Sequence, residues 1–194
     1  AYRDDRQIPL AAKHYKQAVD LDPDNLNALF NLGQCHYNLS QLSQAAEVMQ
    51  RVVDRAPNDL EARVLLARAH YFRKRYPQTR KILEGALMLT QDDPEVLGFY
   101  ADLMAQMGDF QTAVDYYDRL LSKQPDAPET LRLKAAALLA LGDADGALDH
   151  YGKVADLDPD SPVSQADMGH LLEIMGRTDE AWAVISPALV RHPG

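Results

Sequence analysis

The histidines and the single cysteine are the side chains that a metal site or a nucleophilic mechanism would need. Six histidines are scattered along 194 residues, and His36 and His70 stand 34 residues apart. A metal bridging these two would need a second ligand beside each, and the sequence identifies none. Packing of both rings at equivalent positions is the favoured interpretation. Cys35 is predicted to be a small core residue rather than a nucleophile.

Acidic residues cluster at two turns of identical sequence, residues 20–24 and 156–160, each with the spacing D-x-D-x-D. A calcium loop would also need a glycine turn and a bidentate glutamate, and it would not contain a proline. The chain has no glycine-rich phosphate loop, no H-E-x-x-H motif, and no Ser-His-Asp or Cys-His arrangement that can be argued. We therefore predict a protein that is not an enzyme, with no metal and no cofactor.

The composition is that of an ordinary globular protein, with 46% apolar and 25% charged residues. No apolar run approaches the roughly 18 residues that a transmembrane helix needs. The formal net charge of −9 argues against a general nucleic-acid binder, which needs a basic surface. The sequence does not decide the compartment.

The chain repeats itself every 34 residues without insertion. Prolines, small residues, and turn residues recur at this period, and a large residue follows four positions after each small one. The period therefore predicts a repeat array rather than one compact core. The proline set is Pro23, Pro57, Pro125, Pro159 and Pro193, with Gln91 in the skipped position; the small set is Ala11, Ala45, Thr79, Ala113, Ala147 and Ala181; the turn set is Ser40, Lys74, Gly108, Gly142 and Gly176; and the large set is Tyr15, Met49, Leu83, Tyr117, Tyr151 and Ile185.

Each repeat is predicted to contain two helices. Apolar residues follow helical spacing from Leu26 to His36, Ser40 interrupts them, and a second stripe runs from Leu42 to Val53 before Pro57. A connection of about three residues requires the two helices to pack antiparallel. Pro187 lies inside the last helix and is expected to kink or shorten it.

A 34-residue helix-turn-helix unit with Leu32-Gly33, Ala45, Met49 and Pro57 at these positions resembles the tetratricopeptide repeat. The resemblance covers the whole chain, and the second unit departs most, with Lys74, Thr79 and Gln91. It implies an all-α, right-handed superhelical solenoid of antiparallel helix pairs. We expect a single domain over 1–194, with a leading half repeat at 1–25 and repeats at 26–59, 60–93, 94–127, 128–161 and 162–194.

The resemblance also implies that the first helix of each repeat lines a concave groove that binds a protein or peptide. Apolar side chains in the inward row would seat an amphipathic helix or an extended peptide, and Arg68 and Arg132 could hold a carboxylate or a peptide carbonyl. The alternative is that some apolar members turn into the core. The candidate groove residues are Asn27, Phe30, Asn31, Gln34, Asn38, Leu65, Arg68, Phe72, Phe99, Asp102, Arg132, Leu133, Asp167 and His170.

The residues at some inner positions disfavour acidic chaperone tails as partners. The family's adaptors for chaperone tails use a clamp of Lys, Asn and Arg on inner positions. Those positions hold other residues here, so binding of an acidic chaperone tail is disfavoured. The residues at the clamp positions are Phe30, Gln34, Leu65, Glu95 and Phe99.

One segment of the chain is basic although the net charge of the whole chain is negative. Residues 63–81 contain seven Lys and Arg and no acid, which leaves the rest of the chain at −16. A solvated turn is the favoured interpretation; the alternatives are a docking site for an acidic protein surface, or for anionic lipid or nucleic acid. The residues at this basic edge patch are Arg73, Lys74, Arg75, Arg80 and Lys81.

The predicted function is a non-catalytic protein–protein interaction scaffold or adaptor, and assembly of a larger complex is one role that such a scaffold would serve. One alternative is a targeting or regulatory module of a larger enzyme. Another is homo-oligomer formation through the uncapped repeat ends, at Trp182 and the helix over 7–22. Because the chain begins inside a repeat and has no initiator Met, we expect it to be a segment of a longer protein.

Overall fold

The structure, a computed structural model, describes residues 7–159 and 161–191, with side chains as far as residue 186. Asp160 and Pro193 of the sequence patterns lie outside the described residues. Within them the chain forms eleven α-helices and no strand. The helices are α1 Gln7–Leu21, α2 Leu26–Asn38, α3 Leu42–Arg55, α4 Leu60–Phe72, α5 Tyr76–Leu89, α6 Pro94–Gln106, α7 Phe110–Lys123, α8 Pro128–Ala140, α9 Ala144–Leu157, α10 Pro162–Ile174 and α11 Thr178–Arg191.

The helices fall into two compact units, Ala1–Val96 and Leu97–Gly194. In unit 1 each of the helices α1 to α5 packs on the next along the chain, and in unit 2 the same holds from α7 to α11. The three-residue connections between the helices of a pair force them antiparallel. Helix bounds from α2 onward fall inside the five predicted repeats, and α1 fills the leading half repeat.

The turn inside each repeat has a left-handed residue at the same position. Ser40 and Lys74 have φ of 58° and 57°, and Gly108, Gly142 and Gly176 have φ of 74–87°. A left-handed residue ends a helix and satisfies its last carbonyls, and glycine adopts this conformation without a Cβ penalty. The turn set of the sequence is therefore a set of helix ends.

Helix starts are fixed by short polar side chains. Asn25, Asp59 and Asp109 accept hydrogen bonds from the backbone N–H three residues ahead, at 2.9, 2.9 and 3.3 Å. Asp143 and Ser161 do the same at α9 and α10. These caps satisfy donors that the first helical turn leaves unpaired. They also give three acidic residues, Asp59, Asp109 and Asp143, a role as helix caps.

In the repeat core a large side chain of the second helix lies over a glycine of the first helix. Met49 is fully buried over Gly33, where a Cβ would overlap the Met49 Cε atom. Ile185 lies over Gly169 in the same way in unit 2. The absence of a side chain on one helix thus makes room for a large side chain on its partner.

Two charged residues occupy core positions of the repeat. Lys134 is 9% exposed and its Nζ reaches Asp118 Oδ1 at 2.6 Å. Arg63 is half-buried, and its Nε donates to the carbonyl of Pro57 at 2.7 Å. Both stems lie along the core while the charged heads reach polar partners.

The expectation that Pro187 kinks or shortens the last helix was wrong as to shortening, and a kink stays a prediction. α11 runs through Thr178–Arg191 and has 14 residues, as α3 and α5 have. A proline removes one backbone hydrogen bond to the carbonyl four residues earlier, but its fixed φ remains compatible with a helix. Packing of α11 on α10 is enough to hold the helix through this position.

Candidate functional site

The first helices of the repeats form a cavity in unit 1. It has a volume of about 320 Å³ and is bounded by α2, α4 and the first turn of α6. Such a volume lies at the small end of the range of about 300–1,000 Å³ that ligand pockets have, and it suits one or two side chains. The lining residues are Phe30, Gln34, Leu60, Glu61, Val64, Leu65, Arg68 and Glu95.

The floor of this cavity is apolar and rigid. Val64 and Leu65 are 6% and 9% exposed, and Leu65 belongs to the buried cluster of unit 1. Phe30 packs against the same cluster and is half-buried. Leu65 therefore belongs to the core and also lines the cavity. A position in the groove and a position in the core, the two alternatives for the apolar residues, both apply to Leu65.

The polar wall of the cavity carries charges of both signs. Arg68 donates to Glu95 at 2.8 Å, and both side chains are about half exposed. Glu61 lies beside them at the start of α4, and Gln34 is exposed on α2. Because Glu95 already holds the guanidinium, Arg68 offers a ligand a shared ion pair rather than an isolated positive charge.

Four of the candidate groove residues in unit 1 lie away from this cavity. Asn31 donates from Nδ2 to the carbonyl of Asn27 at 2.7 Å, so it bonds within its own helix. Asn38 is exposed. Phe72 is 58% exposed, and its ring centroid lies 6.2 Å from that of Tyr37 and 5.6 Å from that of Tyr71.

The candidate residues of unit 2 form two polar contacts on the first helices. The Tyr117 hydroxyl donates to Asp102 Oδ1 at 2.8 Å. Desolvation raises the pKa of the Asp102 carboxyl, and this hydrogen bond partly opposes the rise. Arg132 is bonded to Glu129 at 2.9 Å, and its Nη1 lies 3.7 Å from Asp167.

The other candidates of unit 2 differ in exposure. Phe99 and Leu133 are half-buried, and His170 is exposed. Burial raises the pKa of Tyr151, and the nearby Asp167 adds to the rise. Like Arg68, Arg132 is engaged with carboxylates of its own unit, so a ligand carboxylate would have to compete for it.

The cysteine and histidines lie where the sequence suggested. Cys35 is buried, and burial raises the pKa of its thiol, which keeps it protonated and unreactive. His36 Nδ1 bonds to Gln41 Oε1 at 2.6 Å. Over the described ranges no group of three or more His, Cys, Asp or Glu side chains could hold a metal. None of the described helices is long and apolar enough to cross a membrane.

The basic edge patch is divided between separate environments. Arg80 donates to Glu84 at 2.8 Å, so an acid outside the basic segment approaches it in space. Arg73 and Arg75 lie at the turn close enough to His70 to lower the pKa of its ring, after the larger effect of burial. Lys74 is exposed at the same turn, and Lys81 lies one helix further on, beside a second cavity.

That second cavity, formed by α3, α4 and α5, was not predicted from the sequence. A signal for it existed, because Lys81 stands where the other repeats have Glu47, Asp115, Asp149 and Ala183. Position-by-position comparison of charge between the repeats would have singled out Lys81, although not the cavity beside it.

Solved structures of the same fold were found by comparison of the whole chain. The crystal structure of MamA protein has a TM-score of 0.78 and 17% identity, and the match covers 84% of this chain and 90% of that chain. A MamA structure from Desulfovibrio magneticus RS-1 has a TM-score of 0.77 and 14% identity over 97% of this chain and 96% of that chain. YrrB, described as a TPR protein with an unusual peptide-binding site, has a TM-score of 0.76 and 14% identity over 94% of both chains.

These likenesses confirm the all-α repeat fold predicted from the period. A search of curated protein sequences gives no match. Two family models, both described as tetratricopeptide repeat, match residues 2–69 and 40–103 in one case and 101–162 in the other. Since these matches extend over more than half of its length, the chain belongs to the tetratricopeptide repeat family.

Proposed function

We propose that this chain is a non-catalytic protein-interaction scaffold that holds an extended peptide or a helix on the face made by the first helices of its repeats. The cavity lined by Phe30, Gln34 and Leu65 in unit 1 is the observation that carries the proposal. Family membership supports it, because such repeats generally present a surface to a partner instead of a reaction centre. The description of YrrB as peptide-binding supports a peptide as one form of the ligand.

The chemistry of the cavity defines what the ligand would bring. An apolar side chain of the ligand would displace water from Phe30, Val64 and Leu65, which supplies the larger share of the binding energy. Gln34 can donate to and accept from a peptide backbone without regard to sequence. The Arg68–Glu95 pair with Glu61 leaves an excess of one negative charge at the rim, which favours a basic residue next to the apolar anchor.

The test is a cavity-filling substitution. Gln34→Trp places an indole in the cavity from an exposed helix position, so it blocks the ligand with little effect on folding. Gln44→Trp, at an exposed position of α3 outside the cavity, is the matched control. A ligand first identified by cross-linking and pull-down would be measured against both variants by isothermal titration calorimetry.

We expect Gln34→Trp to weaken the ligand at least about tenfold and Gln44→Trp to leave it unchanged. Phe30→Ala should weaken it as well, through the loss of apolar contact. Equal affinity for the wild type and the Gln34→Trp variant, with both folded by circular dichroism, would refute the assignment of the ligand to this cavity.

Three further predictions from the sequence stay open as proposals. The single-domain boundaries and the role as a targeting or regulatory module depend on what adjoins this chain in its gene product. Self-association through the repeat ends is supported by Trp182, whose side chain is 64% exposed on α11. Sedimentation over a range of concentrations, with Trp182→Ser as the variant, tests self-association directly.

A further inference from the structure

The second cavity of unit 1 has a volume of about 380 Å³ and lies between α3, α4 and α5, away from the face proposed above. Its floor is aliphatic: Val53 and Leu66 are 9% and 1% exposed, and Ile82 is half-buried. Its rim carries two cations and two amides, from Arg63, Lys81, Gln50 and Gln78. An apolar floor under a polar rim is the usual make-up of a binding pocket.

Both cations depart from the repeat pattern. Arg63 stands where the other repeats have Leu29, Leu97, Leu131 and Gln165, and those four residues are buried. Lys81 stands where three of the other four repeats have an acid. The same repeat thus has a positive charge at two positions of one cavity. Packing does not require a charge at position 63, because leucine fills the equivalent position in three other repeats.

Neither cation is neutralised by the structure described for this chain. Arg63 Nε donates to the uncharged carbonyl of Pro57, and its guanidinium extends over α5, where a Cβ on Gly85 would lie 2.8 Å from Nη1. Lys81 is exposed and makes no ion pair with a described residue. Of the two rim amides, Gln50 donates from Nε2 to Asp54 Oδ1 at 2.7 Å, so this acid is engaged by an amide.

His70 adds an unsatisfied group to the wall of this cavity. Its Nδ1 atom is buried and has no hydrogen-bond partner among the described residues. Burial lowers the pKa of the ring, and the positive charges of Arg73 and Arg75 lower it further. A buried polar atom without a partner costs free energy, and this cost falls on the wall of the cavity.

The cavity fits a carboxylate joined to an aliphatic side chain. The carboxylate would meet Arg63 and Lys81, and the aliphatic part would cover Val53, Leu66 and Ile82. Single-stranded nucleic acid is a poorer fit because no Phe, Tyr or Trp side chain lines the cavity for base stacking. An anionic membrane is a poorer fit because the apolar residues lie at the floor and do not protrude.

We propose that this cavity is a second binding site, for an acidic protein segment in which an aliphatic residue stands beside aspartate or glutamate. The inference goes beyond the proposed function, since it concerns another face of unit 1 and a ligand of opposite charge preference. The proposal also selects one of the alternatives for the basic segment, an acidic protein surface as partner. Of the seven basic residues in that segment, it assigns the contact to Arg63 and Lys81.

The probe is a blocked, fluorescein-labelled heptapeptide with the core Asp-Leu-Asp between glycine and serine residues, titrated with the full chain. Fluorescence anisotropy gives its Kd. Two matched peptides, with cores Asn-Leu-Asn and Asp-Ser-Asp, remove the charges and the aliphatic side chain in turn. We expect each of them to bind at least about tenfold more weakly than the first.

The variants are chosen so that folding is retained. Arg63→Leu introduces the residue of three equivalent positions, and Lys81→Glu introduces an acid, as three of the other four repeats have. Each should weaken the Asp-Leu-Asp peptide by about tenfold or more. Lys153→Glu makes the same charge change at an exposed position of α9 and should have no effect. Gln34→Trp should also have no effect, which separates this site from the proposed groove.

A second readout follows His70 itself. Its imidazole signals, assigned by loss in His70→Gln, should move on addition of the Asp-Leu-Asp peptide, and the ring pKa should rise because a carboxylate approaches it. Wild-type protein that does not bind the peptide at millimolar concentration would overturn the proposal. So would Arg63→Leu and Lys81→Glu variants that bind the peptide as tightly as the wild type does.

Other occupants give their own results. Tighter binding of phosphatidylglycerol vesicles or of an oligonucleotide than of the peptide, lost in Lys81→Glu, would reassign the cavity and overturn the proposal. A chain that sediments as a dimer until Arg63 or Lys81 is replaced would assign the cavity to a second copy and overturn it likewise.

Discussion

Lys74 has a backbone conformation that its side chain disfavours. Its φ of 57° lies in the left-handed region, which three other repeats fill with glycine. Lys74→Gly should raise the free energy of unfolding by about 0.5–1 kcal/mol, because relief of the left-handed strain exceeds the entropy that glycine adds to the unfolded chain. Lys74→Ala removes the charge but keeps the Cβ, and chemical denaturation should show no such gain. A gain as large in the alanine variant would assign the effect to charge.

Asp102 is the residue with the clearest pH response. Because its folded pKa is raised above the unfolded value of 3.8, this group stabilises the fold at low pH, and that contribution is lost as pH rises through the folded pKa. Tyr117→Phe removes a hydrogen bond that lowers the pKa, so the carboxyl should titrate at still higher pH. Carbon-13 NMR of the side-chain carboxyl measures both shifts. A midpoint that falls in the phenylalanine variant would contradict the assignment.

The structural role of a residue could be predicted from the sequence where its position can be compared with the equivalent positions of the other four repeats. The turn glycines, the cap residues and the buried Cys35 follow from that comparison and from local backbone chemistry. Side-chain partners could not, since Tyr117 to Asp102 and Lys134 to Asp118 join different helices through rotamers that depend on packing.

The 34-residue period specifies a pair of helices. The two helices of a pair can pack closely because one of them has a glycine, which has no side chain, at the point of contact. Gly33 faces Met49, which is fully buried. Gly33→Ala should lower the free energy of unfolding by about 1 kcal/mol, because the added Cβ displaces the Cε end of Met49 and lies 3.2 Å from its Cγ, and this overpacking outweighs the gain in helix propensity. Gly152→Ala is the matched control in α9, where nothing lies within 4 Å of the added Cβ.

The control should change stability in the other direction. Alanine favours the helical backbone over glycine by about 0.5–1 kcal/mol, so Gly152→Ala should stabilise the protein. Thermal denaturation followed by circular dichroism measures both substitutions. Opposite signs would support the close contact, and destabilisation by both would show that general helix geometry, not Met49, is responsible.

At the scale of the whole molecule the charge is divided unevenly between the two units. Unit 1 has 13 basic and 13 acidic residues, so its net charge is zero, while unit 2 has 7 basic and 16 acidic residues and carries the whole −9. Repulsion among like charges destabilises a compact state and is screened by salt. Unit 2 should therefore gain more stability from added salt than unit 1.

Trp182, the single tryptophan, lies in unit 2 and reports on it alone. Raising sodium chloride from about 0.05 to about 0.5 M shortens the screening length severalfold, and the unfolding midpoint of Trp182 fluorescence should rise. Amide hydrogen exchange gives the comparison for unit 1, whose protection should change less. Equal gains in both units would mean that the net charge of unit 2 does not limit its stability.

The sequence by itself determined the period, the helix pairs, their bounds and the absence of a recognisable catalytic motif, because these depend on local backbone preference and on a pattern repeated five times. It placed Phe30, Gln34, Leu65 and Arg68 on one face. Only the tertiary structure decided that these four surround one cavity, that Arg68 is already paired with Glu95, and that Arg63 and Lys81 meet at another. The physical reason is that a cavity is formed by side chains from three different helices, and their relative positions are set by packing rather than by the period.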